Sequence, residues 1–166
     1  MGQHKDLRND AAIEKIREMA EEKICLFCTY ENGQIVSRPM STQQVDEDGT
    51  LWFLSRKDSS KNEQIDENSS VHLMYSDTSK HHYLSLTGHA RIVIDQSKVE
   101  ELWNPIAKAW FEKGKDDPEI SLISVAPEEG HYWDTKNGKL VSMLKIAVAA
   151  VSGKQMDGGV EGDITV

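Results

Sequence analysis

Arg56, Lys57 and Lys61 crowd a single turn of an otherwise acidic chain, in the stretch LSRKDSSKNEQI at residues 54–65. Ser55 stands just before them and Ser59 and Ser60 between them, each with a hydroxyl, and a helical pattern follows. A helix N-terminus leaves backbone N–H groups unpaired and carries about half a positive charge. Cations and hydroxyls at that end make a phosphate cradle. The same residues also suit an ordinary solvated strand-to-helix connection. Ser60-x-x-Glu63 fits a capping box, which would bring the Glu63 carboxylate to the same turn and repel a phosphate. Arg38, within VSRPM, is either an exposed edge charge or a second arm reaching the same anion. Pro39 beside it lacks an N–H and fixes φ, so neighbouring backbone groups can be left free for a ligand.

Other reactive residues give weaker signals. Cys25 and Cys28 form a C-x-x-C in a stretch that reads as a strand. Residues three apart on a strand face opposite sides, so small buried residues are expected rather than a disulfide or metal pair. His81 and His82 would likewise point apart on a strand, with no carboxylate or cysteine completing a metal spacing. The sequence shows no G-x-S-x-G, P-loop or G-x-G-x-x-G motif.

The elements that must position these residues follow from periodicity and turn residues. A helix is expected over about residues 7–22. Strands are expected at 24–30, 34–45 and 51–55, with Asn32-Gly33 as a hairpin turn. A short helix at 58–67 precedes strands in NSSVHLMYSD and HHYLSLTGHARIVID, where Gly88 marks a bulge or close backbone approach. Residues 97–111 read as helical with a break at Pro105. Further strands are expected at 120–126, 131–134 and 140–151. Strands joined by hairpins predict a mainly β fold: a six- to eight-stranded antiparallel split barrel with flanking helices. One domain is expected over residues 1–152, with a flexible tail at 153–166.

The chain of 166 residues has 38% apolar and 28% charged side chains, with 19 basic against 28 acidic groups and a net charge of −9. That balance disfavours nucleic acid or an anionic membrane as the main partner, while a small anion needs only a local patch. No stretch approaches the ~20 apolar residues of a membrane span, and no hydrophobic signal core opens the chain. A cytoplasmic location is expected.

IVSRPMS, LWFLSRKDSSKNEQI, YLSLTGHARIV and WFEKGKDDPEISLISVAPEEGHYWD occur in that order. In content and spacing they resemble the FMN-binding split barrels, relatives of pyridoxamine 5′-phosphate oxidase, and within them the bacterial general stress proteins. The resemblance covers about residues 8–150. It implies that Arg38 and Lys61, helped by Ser60, hold the FMN phosphate. Ser37, Arg38, Pro39, Met40 and Ser41 would line one edge of the flavin with backbone groups. Phe53, Leu54 and Ser55 would run beside the ring system and ribityl chain. It further implies a homodimer with the site between subunits, Trp110 reaching the flavin from the partner chain and Trp133 as a further candidate. Two readings follow. One is an oxidoreductase passing electrons from a reduced nicotinamide to a small acceptor. The other is a non-catalytic flavin or deazaflavin store or sensor. The C-terminal sequence VEGDITV lacks the arginine and proline with which the true oxidase binds its substrate, so vitamin B6 oxidase activity is not expected.

Overall fold

A computed structural model describes residues 3–135 and 159–166. In chain order its elements are β1 (Gln3–His4), β2 (Leu7–Arg8), α1 (Asp10–Ala20), β3 (Ile24–Glu31), β4 (Gln34–Ser41), β5 (Gln44–Val45) and β6 (Leu51–Arg56). They continue with α2 (Ser60–Glu67), β7 (Ser70–Asp77), β8 (His82–Val93), α3 (Gln96–Leu102), β9 (Ile120–Thr135) and β10 (Gly159–Thr165). The fold is mainly β, a split barrel with flanking helices, as the hairpin pattern predicts. Its main path runs β1-β10-β9-β8-β7-β3-β4. The sheet is mixed: β1 and β2 run parallel to β10, and the other pairs are antiparallel. Among the described residues no helix is long and apolar enough to cross a membrane.

Strand β9 organises the fold. Along one edge it pairs with β8 from Leu122 to Trp133. Along the other it pairs first with β6, Ile120 to Val125, and then with β10, Glu129 to Thr135. The split lies where these two partners part. The sequence predicts two strands here, at 120–126 and 131–134. The structure has one strand, since Pro127 falls between the β6 and β10 segments and opposite the β8 bulge at Thr87–Gly88. The ladder is already interrupted there, so a missing N–H is tolerated. Gly88 is required at that bulge: a Cβ would lie 2.3 Å from the Ala126 carbonyl oxygen.

The predicted strand over 34–45 divides into β4 and β5. The helix after β8 ends at Leu102, just before Pro105, and a short 3-10 turn at Ala107–Ala109 follows. The expected tail is corrected over Gly159–Thr165, which forms β10. Its glycines suggest coil, yet one of them enables the strand: a Cβ on Gly162 would lie 1.9 Å from the Lys5 carbonyl oxygen. The expected strand at 140–151 lies outside the described residues.

The main core fills the barrel with Phe27, Phe53, Leu51, Leu73, Leu86 and Ile123, and α1 closes it with Ala12, Ile16 and Met19. Phe27 and Phe53 meet edge to face at 5.1 Å, a favoured aromatic geometry. A second cluster outside β6 and β9 joins Val99 and Leu102 of α3 to Phe111, Ile120 and Leu122. Cys25 and Cys28 are free and buried, and burial pushes the Cys25 thiol up to about 12.

Candidate functional site

Strand alternation places Arg38 on the inner side of β4, opposite Phe27 of β3. Its guanidinium is fixed from three sides. Nη1 donates to Thr29 Oγ1 at 2.6 Å and, at the 3.5 Å limit, to the Phe27 carbonyl; Nη2 donates to Gln64 Oε1 at 2.8 Å. Gln64, buried on α2, also accepts from the Thr29 hydroxyl and donates to Glu31. Nε–H and one Nη2–H of Arg38 have no partner among the described residues. Burial lowers the Arg38 pKa, with weak compensation from Cys28 and Glu31.

Helix α2 brings Lys61 to the same place. Lys61 is half-buried, and no ion pair or side-chain hydrogen bond holds its ammonium among the described residues. Burial first, and then the charge of Arg38, lower its pKa; Asp58 compensates only partly. Arg38 and Lys61 are thus near enough for one charge to destabilise the other. The backbone adds donors. Asn62 and Glu63 give their N–H groups to the Ser59 carbonyl, while Ser60 and Lys61 at the helix start have no backbone acceptor among the described residues.

The capping box does not form. The N-cap is Ser59 rather than Ser60, and it makes no side-chain cap. The buried Asn62 instead draws hydroxyls from both Ser55, at 2.8 Å, and Ser59, at 3.1 Å, onto its Oδ1, and donates to Ser121. Glu63 stays exposed in the first turn of α2 and does not cap it. Ser60 is exposed at the helix start. Ser55 is buried with its hydroxyl committed to Asn62, so it shapes the turn. Arg56 and Lys57 leave the cradle: Arg56 pairs with Asp58 at 3.1 Å and Lys57 donates to the Pro118 carbonyl.

The remaining expected residues are dispersed around this centre. Met40 shares the inner side of β4 with Arg38 and packs against the main core. Ser37, Pro39 and Ser41 alternate outward and are exposed. Among the described residues β4 has β3 as its one ladder neighbour, and backbone groups along its other side are unpaired there. The Phe53 side chain is fully buried, leaving only its backbone to meet a ligand, and Leu54 packs toward the α3 cluster. Trp110 follows the 3-10 turn and is 75% exposed. Trp133 lies outside on β9 beside His131 at 4.5 Å. Sequence reasoning missed Thr29, Gln64 and Glu31. A helix glutamine and a strand threonine carry no signal until the sheet curves and brings α2 over β3.

His81 is corrected as well: it sits in the β7–β8 turn with φ +57, off the strand. His82 does meet a carboxylate, Asp134, at 2.7 Å.

Comparison with known proteins matches residues 11–157 to the family described as pyridoxamine 5′-phosphate oxidase like. General stress protein 26 of Bacillus subtilis is 27% identical over 115 residues, 64% of this chain and 76% of that protein. Among solved structures, a protein described as general stress protein 26 from Jannaschia sp. CCS1 superposes with a TM-score of 0.76 at 24% identity. That likeness covers 93% of this chain and 96% of the other. The general stress FMN/FAD binding protein of Xanthomonas citri gives a TM-score of 0.63 at 24% identity, covering 76% of this chain and 90% of that one.

Proposed function

The chain belongs to the pyridoxamine 5′-phosphate oxidase-like family, with general stress protein 26 among its relatives, and from that premise we propose that it is a cytoplasmic FMN-binding flavoprotein. The observation that carries the reading is the nearness of Arg38 to Lys61, two partly buried cations of which Lys61 has no ion-pair partner among the described residues. A phosphate monoester of nearly two negative charges fits that deficit. Lys61, the free N–H groups of Arg38 and the Ser60 end of α2 hold the phosphate. Thr29 and Gln64 keep the guanidinium aimed. The open edge of β4, Ser37 to Ser41, and the backbone at Phe53 and Leu54 border the ring system. FMN, when bound, supplies the electron-transfer chemistry; the protein supplies orientation and charge.

The same reading makes the chain a homodimer. Ile24, Leu26, Met74, Ile106 and Trp110 stay exposed on one protomer, and Leu26 and Met74 are direct cross-strand neighbours. A second copy covers such surface, and Trp110 then approaches the flavin of the partner.

As an enzyme, the protein passes electrons from a reduced nicotinamide to a small acceptor. A second reading is a non-catalytic flavin or deazaflavin store or sensor. It is favoured by the cradle's composition: arginine, lysine, serine, threonine and glutamine, with no histidine among them. Titration with FMN and with riboflavin tests the binding claim. FMN binds far more tightly, and equal affinities refute the cradle. Anaerobic mixing of the holoprotein with NADH or NADPH divides the two roles. Bleaching within seconds marks an enzyme; bleaching by dithionite alone marks a binder.

A further inference from the structure

Segments from opposite ends of the sequence bring a second group of ligating side chains together. His4 ends β1, Asp6 lies between β1 and β2, Asp163 is in β10 and His131 is in β9. The register explains the meeting. β10 lies between β1 and β2 on one side and β9 on the other, with His4 opposite Glu161 and His131 opposite Asp163. One ligating atom from each of His4, Asp6 and Asp163 lies within 4.8 Å of the others. His4 Nε2 is 2.8 Å from Asp6 Oδ1. That oxygen also accepts the Asp163 N–H at 3.0 Å. His131 Nδ1 is 2.8 Å from Asp163 Oδ1, and its Nε2 is 3.8 Å from Glu161.

We propose that His4, Asp6 and Asp163 form a divalent metal site of the zinc type, with His131 as the positioning residue that holds Asp163. An imidazole and two carboxylates are a donor set suited to zinc, whereas magnesium and calcium sites use oxygen donors. Bonds of about 2.0–2.2 Å around a tetrahedral ion set donors about 3.4 Å apart. The exposed side chains reach that spacing by small rotations, and water completes the shell. The His131–Asp163 pair repeats the second-layer hydrogen bonding that orients ligands at metal centres. Glu161 adds negative charge alongside. A bound ion would clamp β1 and the turn before β2 to β10, and through His131 to β9. The site shares no residue with the Arg38–Lys61 cradle.

Metal-free full-length protein titrated with Zn2+ by calorimetry tests this. One ion binds per chain and raises the thermal midpoint. His4→Ala and Asp163→Asn each weaken binding by roughly tenfold or more and abolish the thermal shift, and His131→Ala weakens it roughly 10- to 100-fold. With Co2+ as a spectroscopic probe, the wild type gives a visible absorption band of tetrahedral intensity, which His131→Ala alters. Unchanged circular dichroism of each variant secures the comparison. Absence of Zn2+ binding, or equal binding in wild type, His4→Ala and Asp163→Asn, overturns the proposal.

Discussion

Lys61 carries a charge that the surrounding fold leaves largely unanswered. Its folded pKa is lowered, first by burial and then by Arg38. Between the folded value and the ordinary one, the unfolded chain holds more protons than the folded chain. Stability of the ligand-free protein therefore rises with pH across that window, and the penalty is present in full below it. Lys61→Met removes the penalty and the phosphate contact together. The variant is expected to melt higher than wild type without ligand at neutral pH, by differential scanning fluorimetry. Its FMN affinity is expected to fall about 10- to 100-fold, the worth of a charged hydrogen bond of about 1.5–3 kcal/mol. In wild type, affinity declines as pH climbs through the folded pKa of Lys61, which a fluorescence titration reads directly. Gln64→Ala, which frees the Arg38 guanidinium from its α2 anchor, weakens FMN in the same assay with no change in net charge.

Among the elements, β10 depends on a close approach that only glycine allows. Gly162→Ala would drive a Cβ into the Lys5 carbonyl, a backbone atom that cannot swing away. Overpacking of this kind costs about 1–3 kcal/mol, and urea unfolding should show it. Helix α1 is fastened to β9 by Lys15, whose ammonium lies 2.9 Å from Asp134, while His82 meets the other carboxylate oxygen. Burial opposes the ionised form of Asp134, but the hydrogen bonds from Lys15 and from the Thr135 N–H outweigh it and lower its pKa. The stabilisation is present above the ordinary aspartate value and is lost as pH falls through the depressed one. Asp134→Asn should cost about 1–3 kcal/mol at neutral pH, between an exposed and a buried pair, with the difference from wild type shrinking in acid. The hairpin of β3 and β4 was legible because Asn32 and Gly33 both take positive φ, and β7 and β8 because their apolar residues alternate. β10 was not legible, because glycine and charge dominate its seven residues and its strand character comes from neighbours at both flanks. In the cradle, Arg38 and Lys61 could be read from charge and helix-start chemistry. Their supports could not, since Thr29 and Gln64 acquire meaning only through a contact 35 positions long.

At the scale of the whole molecule, the uncovered apolar surface and the cradle make a joint demand. If a second copy covers Leu26 and Met74, Leu26→Glu places a charge in that contact, and light scattering after gel filtration should report monomers. FMN affinity should fall with it if the site needs both protomers; a monomer that binds FMN normally would place the cofactor within one chain. Strand β9 sets a further condition, on synthesis. β6 has only the two-residue β5 as a ladder partner until Ile120–Val125 is made, about 65 positions later. At ribosomal rates of about 5–20 residues per second, that interval is roughly 3 to 13 seconds. For those seconds Leu51 and Phe53 lack the β9 neighbours Val125 and Ile123 that they meet in the folded chain, an exposure that favours aggregation.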